Sequence, residues 1–196
     1  NADSIVAEMG NVNGLISHQC LNKYVARWRQ PVEADYKNYH IVSMPPPSSG
    51  GIIILQLMKI MERFPLAEWG FQSLNAVHLM AEAERRVYAD RAQYMGDPDF
   101  FQVPQDSLLN DKYLRQRMSN YNPTQATPSK DILAGDFRSI SKESFETEHT
   151  SVVDAKGNAV AVTTTLNSNF GNKVMVHGAG FLLNNEMDDF SAKAGV

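Results

Sequence analysis

Thr147 heads a strand-like run to Asp154, and a second run rich in hydroxyls and amides, Thr163, Thr164, Thr165 and Asn167, follows it. A third run, Asn184 to Asp189, is acidic and amide-rich. These residue types suit acyl transfer, in which a hydroxyl attacks an acyl carbon and carboxylates hold a cationic group of the substrate. A hydroxyl is a poor nucleophile unless a nearby base takes its proton. One solution uses the α-amine of an N-terminal threonine, whose pKa of roughly 7.7–8.0 suits work near neutral pH. Thr147 lies in mid-chain, so this solution requires cleavage between Glu146 and Thr147. On its own, Thr147 reads as a strand-edge threonine. His149 would face the same side of a regular strand, but no third residue stands out to orient a Thr–His pair.

The acidic run admits three readings: a seat for a substrate ammonium, a hard-cation site, or a solvated turn. Oxygen ligands are what Ca²⁺ prefers. The run, however, lacks the glycine and the later glutamate of an EF-hand loop, which counts against calcium. His18, His40, His78 and His177 have no metal-ligand spacing. No metal site and no cofactor is expected. The stretch Pro45 to Gly51 resembles a phosphate-cradling loop only superficially, because it lacks the lysine and the glycine spacing of a P-loop.

Elements must position these groups. From His149 the pattern has period two: a strand to Asp154, a turn over Ala155 to Asn158, and a returning strand over Ala159 to Asn167. Alternation places Ala159, Ala161, Thr163, Thr165 and Asn167 on one face, and Val160, Val162, Thr164 and Leu166 on the other. The second face is expected to be mostly core. The first suits a lined cleft, although threonines also simply favour strands.

Upstream the reading is mostly helical. Residues 3–10 read as helix, and Ser17 offers an N-cap for a short helix to about Tyr24. Short strands are expected between Val25 and Val42. Helices follow over about Ile52 to Phe64, with Ile53, Leu57 and Ile60 as a stripe, and over about Ser73 to Met95. The long helix carries Ala76, Leu79, Met80, Ala83, Val87 and Tyr94 near helical spacing. A single helix is expected from Ser107 to Met118. The chain therefore divides into a mostly helical region at 1–119, a linker at 120–146, and the hairpin region at 147–196.

The bulk numbers fit this picture. The 196 residues suffice for one domain with a real core, and the net charge of −4 leaves no electrostatic footprint for nucleic acid. No apolar stretch reaches membrane-spanning length, because Ile52 to Met58 is interrupted by Gln56 and followed by Lys59. Cys20 is the single cysteine, which rules out an internal disulfide. Asn1 and Ala2 in place of an initiator methionine, and an end just after a strand-like run, read as a piece of a longer protein.

Several long motifs in order resemble the gamma-glutamyltranspeptidases, also called glutathione hydrolases, of the N-terminal-nucleophile superfamily. They are Ser43 to Gly51, Met80 to Glu84, Asp90 to Phe100, the strand at Thr147, the hairpin return from Gly157, and Asn184 to Ser191. The resemblance covers nearly the whole chain. It implies an α+β fold, here part of a four-layer αββα sandwich. It implies self-cleavage before Thr147, giving a large and a small subunit from one precursor, with Glu146 and Thr147 flanking the cut. Thr147 would then be the nucleophile and Thr165 a second threonine hydrogen-bonded near it. Asn167, Glu186 and Asp189 would hold the α-amino and α-carboxylate groups of γ-glutamyl compounds such as glutathione. Other parts of the family's site, a substrate-binding arginine and the oxyanion donors, are expected outside this stretch, so the stretch alone is expected to be inert. A periplasmic or extracellular location is also implied by the resemblance. Two other readings stay open: a related acylase using the same nucleophile, and an unprocessed, non-enzymatic homologue.

Overall fold

A computed structural model describes residues 1–135 and 148–189, without the side chains of Glu148, His149 and Asp189. In chain order the helices and strands are α1 (Ala2–Val12), α2 (His18–Lys23), β1 (Val32–Tyr36), β2 (Tyr39–Ser43), α3 (Gly50–Met61), α4 (Leu66–Trp69), α5 (Leu74–Tyr94), α6 (Gln105–Leu108), α7 (Asp111–Arg117), β3 (Glu148–Val153), β4 (Ala159–Thr164), β5 (Met175–Val176) and β6 (Phe181–Leu182). The strands form three separate antiparallel pairs, β1–β2, β3–β4 and β5–β6. The chain is α+β. Its described residues form two compact units, one of residues 29–135 and one of residues 1–28 with 148–189.

In the first unit α3 is apolar nearly all round, as a helix buried between neighbours must be. Ile52 and Leu55 enter a core with Val32, Tyr94, Val103, Leu108 and Ala134. Ile53 and Ile60 enter another with Ala83, Val87 and Leu114. Burying each such side chain is worth about 1.5–3 kcal/mol. Gly51 permits the approach of the sheet, since a Cβ there would collide with the Met44 carbonyl and the Val32 side chain. Ser73 caps α5, its hydroxyl accepting the Ala76 N–H at 3.3 Å. The span expected as one helix from Ser107 to Met118 is two, because Asn110 breaks it: its side-chain oxygen accepts the N–H groups of Lys112 and Tyr113 and starts α7 afresh. Met80, expected on the apolar stripe of α5, is 44% exposed.

The other face of α5 carries charge into the interior. Glu82, Arg86 and Asp90, spaced four apart, are all buried. The Glu82 carboxylate accepts from Arg86 at 2.7 Å, from Arg85 at 2.6 Å, and from the Thr127 hydroxyl at 2.6 Å. Arg86 also donates to Asn120 and Thr127. Asp90 accepts from Arg117 and from the Gly135 N–H, while the Tyr94 hydroxyl donates to the Gly135 carbonyl at 2.8 Å. Residues 120–135, read from sequence as part of a linker, have one 3-10 turn (Ser129–Asp131) and are pinned to α5 by these side chains. The remainder of that linker, 136–146, lies outside the described residues.

The β1–β2 hairpin carries a titratable clasp. His40 lies between Asp35, 2.8 Å from Nδ1, and Glu33, 3.2 Å from Nε2. The hydrogen bonds to Asp35 and Glu33 raise its pKa above the ordinary 6.5. A raised folded-state pKa stabilises the protein fully below the unfolded value, and that contribution fades as pH rises through the folded one. An NMR titration of the His40 ring should therefore give a midpoint above 6.5, falling back toward it in Asp35→Asn. An unchanged midpoint in that variant would rule the clasp out.

In the second unit Ser17 caps α2, its hydroxyl accepting the Cys20 N–H. Helix α1 packs against β5, and Met9 and Val176 are buried. The β3–β4 hairpin forms as its period-two pattern predicts. Its register pairs Glu148 with Thr164, His149 with Thr163, and so on to Val153 with Ala159. Asp154 builds the turn by accepting the N–H groups of Lys156 and Asn158 and the Asn158 side-chain amide. These bonds, that from the Asn158 side chain foremost, hold its carboxyl below the usual range. Val160 and Val162, expected to be core, are 57% and 45% exposed. No described element covers either face of β4, so the alternation is kept but the burial is not.

Candidate active site

Among the expected site residues, Glu146 and Thr147 lie outside the described residues. The others gather at the open end of the β3–β4 hairpin. Thr165 follows the last paired residue of β4, and its hydroxyl accepts the N–H of Asn167 at 2.8 Å. This bond turns the chain: Asn167 adopts a left-handed conformation, φ 72°, that asparagine tolerates better than most residues. The expected single face from Ala159 to Asn167 therefore ends at Thr163, because β4 stops at Thr164 and neither Thr165 nor Asn167 is in a strand. Asn167 is 5% exposed.

The turn brings Asn167 to the acidic run. One N–H of its side-chain amide donates to the Asn185 carbonyl at 3.1 Å, and the Asn185 N–H donates to the Leu166 carbonyl at 3.0 Å. Glu186 opens a 3-10 turn, Glu186–Asp189, with its N–H on the Asn184 side chain at 3.0 Å. Asp189 closes that turn. Two stretches that sequence could propose only separately thus meet at one place in the fold. The side chains of Thr165, Asn167 and Glu186 are on one short connected scaffold.

The residue that organises this scaffold, Asn185, was not singled out from sequence. Its side-chain oxygen accepts the Ser168 N–H at 3.0 Å, and its amide donates to the Ser168 hydroxyl at 3.1 Å and to the Asp188 carboxylate at 2.9 Å. A pair of asparagines ahead of an acidic turn is the only sequence signal, and asparagine in loops is too common for that to decide. Gly171 is a second missed position. Its φ is 54°, and a Cβ there would run into the Leu183 carbonyl, so only glycine lets the 168–172 loop lie against the strand leading to Asn184.

Chemically, this end of the hairpin offers hydroxyls, amides and carboxylates. No group of three or more His, Cys, Asp or Glu side chains that could hold a metal occurs among the described residues. Nor is any described helix long and apolar enough to cross a membrane. The family model for gamma-glutamyltranspeptidase matches residues 1–196. The chain belongs to the gamma-glutamyltranspeptidase family. It is 48% identical over 195 residues to the glutathione hydrolase proenzyme of Escherichia coli, covering 100% of this chain and 33% of that protein. It is 38% identical over 182 residues to the acylase ACY 1 proenzyme of a Pseudomonas strain, covering 93% of this chain and 32% of that protein. Among solved structures, the Helicobacter pylori gamma-glutamyltranspeptidase aligns with a TM-score of 0.66 at 38% identity, over 72% of this chain and 41% of that one. The chain thus spans about a third of the length of the curated relatives it matches. The gamma-glutamyltranspeptidase family model covers the segment carrying Thr165, Asn167, Glu186 and Asp189 throughout.

Proposed function

We propose that the protein containing this chain transfers or hydrolyses γ-glutamyl groups, those of glutathione included, through an acyl-enzyme on Thr147 formed after self-cleavage between Glu146 and Thr147. The observation that carries the proposal is the Asn167–Asn185 hydrogen bond, which joins the residue after the hairpin to the acidic turn. In this reading Thr165, next after the Glu148–Thr164 pair, is the second threonine that works with Thr147. Cleavage frees the Thr147 α-amine. That amine takes the hydroxyl proton as the oxygen attacks the γ-carbonyl carbon, and the leaving amine departs with a proton. Water or an acceptor amine then attacks the ester carbon and returns a proton to the threonine oxygen. Glu186 and Asp189 attract the substrate ammonium, and the second N–H of the Asn167 amide is a donor suited to its carboxylate.

The partners in this reading are small γ-glutamyl compounds and the two subunits cut from one precursor. We assign the protein to the periplasm or the extracellular space on its family. The full-length protein is the right material for the test. Intact mass measurement should give two polypeptides, the second beginning at Thr147, and the preparation should release aniline from a γ-glutamyl anilide. A single uncut, inactive chain would instead favour the unprocessed homologue.

The acylase relative supports a second reading, cleavage of other acyl amides by the same nucleophile. The two differ in the ammonium. A γ-glutamyl substrate gives Glu186 and Asp189 a partner, and an acyl group without an amine does not. Preference for a γ-glutamyl anilide over its des-amino counterpart, the glutaryl anilide, separates them.

A further inference from the structure

Asn185 touches three consecutive residues of the turn that carries Asn167. Its N–H donates to the Leu166 carbonyl at 3.0 Å, its carbonyl accepts from the Asn167 side-chain amide at 3.1 Å, and its side-chain oxygen accepts the Ser168 N–H at 3.0 Å. The Asn185 side-chain amide commits its two N–H groups to the Ser168 hydroxyl at 3.1 Å and the Asp188 carboxylate at 2.9 Å. The Asn185 carbonyl accepts the Asp188 N–H as well, at 3.0 Å. Every polar group of Asn185, on backbone and side chain, therefore has a partner. No strand holds this part of the chain, since β4 stops at Thr164. The turn is held instead by these bonds and by the Thr165 hydroxyl on the Asn167 N–H.

The bond to Asn167 decides a direction. The two ends of an asparagine amide are alike in shape and opposite in hydrogen bonding: the NH₂ end donates and the oxygen only accepts. A carbonyl can only accept, so the Asn185 carbonyl selects the NH₂ end of Asn167. With the amide turned over, two oxygens would face each other. Asn167 is 5% exposed, which leaves water little room to relieve them, and an unpaired buried acceptor is costly. The amide is planar, so fixing one N–H fixes the line of the other. Toward a carboxylate that second N–H attracts, whereas the amide oxygen in its place would repel.

We propose that Asn185 is a positioning residue that makes the site select a free α-carboxylate, by holding the Asn167 amide with an N–H toward the ligand. The assignment rests on the γ-glutamyl reading above, in which Asn167 meets that carboxylate. It concerns binding alone, and no bond is made or broken. Asn185 acts through Asn167. Its side chain contributes by fastening its own carbonyl beside the turn, through Ser168, the neighbour of Asn167, and through Asp188 in the acidic turn. A carboxamide in place of the carboxylate carries no charge and takes the weaker hydrogen bond. The loop beyond is tied elsewhere: the Asn172 N–H donates to the Leu183 carbonyl at 3.1 Å, and the Leu183 N–H to the Val174 carbonyl at 2.9 Å. Removing the Asn185 side chain should thus loosen the Asn167 turn without unfolding the unit.

The test measures equilibrium binding of L-glutamate and of its α-amide, isoglutamine, to the full-length processed protein by calorimetry. The unsubstituted protein should bind the free α-carboxylate more tightly. Asn185→Ala should reduce that preference by about 10-fold or more, the weight of one hydrogen bond to a charged group. Asn167→Ala should reduce it equally, and the double variant no further, because one residue acts through the other. A merely structural role would weaken both ligands together and leave their ratio as it was. That result, or losses that add in the double variant, overturns the assignment. If Asn185→Ala does not fold, Ser168→Ala decides: it removes one acceptor of the Asn185 amide, keeps Asn185 in place, and should lower the preference in the same direction. An unchanged ratio in Ser168→Ala then overturns the assignment. An unsubstituted protein that binds neither ligand, or both alike, takes down the γ-glutamyl reading and this one with it. A preference present in the unsubstituted protein and kept in Asn185→Ala overturns the Asn185 assignment alone.

Discussion

Replacing Thr147 by alanine in the full-length protein is expected to leave it a single polypeptide and to lower γ-glutamyl anilide turnover by at least about 10³-fold. Loss of a nucleophile that works with its base as one unit ordinarily costs this much or more. One oxygen is used twice in the proposed scheme, first on the Glu146–Thr147 peptide bond and then on the substrate. The two uses can be separated. If residues up to Glu146 and a second chain starting at position 147 are produced as two polypeptides, the α-amine is supplied without any cleavage. Thr147→Ser in that two-chain form should turn over the anilide, because it keeps both hydroxyl and amine. Thr147→Ala should not, because it keeps only the amine. Turnover by the two-chain alanine variant would assign the chemistry to another residue. A cut alanine precursor would assign processing to an outside protease.

The β3–β4 hairpin was legible in sequence because period two and an Asp-Ala-Lys-Gly-Asn turn agree on it, and local preferences that agree with the fold are what specify an element. The Ser17 cap was legible for the same reason: a short hydroxyl ahead of a helical run has few better uses. What failed has a common cause. Val160 and Val162 alternate correctly yet are exposed, since alternation fixes which face a residue is on and says nothing of what lies over that face. Asn110 splits a helix that apolar spacing would join, because a cap and a polar helical residue look alike until the backbone is seen. Asn167 leaves the strand face because Thr165 captures its N–H, a contact between neighbours that competes with continuing the strand. At the site, the residue types of the two runs suggested chemistry, but their meeting depends on Asn185, whose hydrogen bonds reach back to Asn167 and Ser168.

The largest stability effect is expected from the charges buried on α5. An exposed glutamate–arginine pair four apart on a helix is worth only a few tenths of a kcal/mol. Glu82 and Arg86 are instead 1% and 2% exposed. Burial pushes the Glu82 carboxyl up, but the Thr127 hydroxyl, the Arg86 guanidinium and the Thr127 N–H outweigh it and hold the group at about 2. Glu82→Ala should therefore destabilise the protein by about 3–5 kcal/mol, the cost of leaving a buried charge without its partner. Against a total of about 5–15 kcal/mol that is a large share, and urea denaturation would read it directly. The double variant Glu82→Leu/Arg86→Met should lose less than the sum of the two single losses, because no charge is then left stranded. Acid provides an independent check. A carboxyl whose folded pKa lies below its unfolded value stabilises the fold above the unfolded value, and this is lost as pH falls through the folded one. The difference in stability between parent and Glu82→Gln should then be full above pH 4.5 and shrink as pH falls toward about 2. A Glu82→Ala variant within about 0.5 kcal/mol of the parent, the range of ordinary surface substitutions, would mean that water reaches Arg86 and that residues 120–135 are not held by this pair.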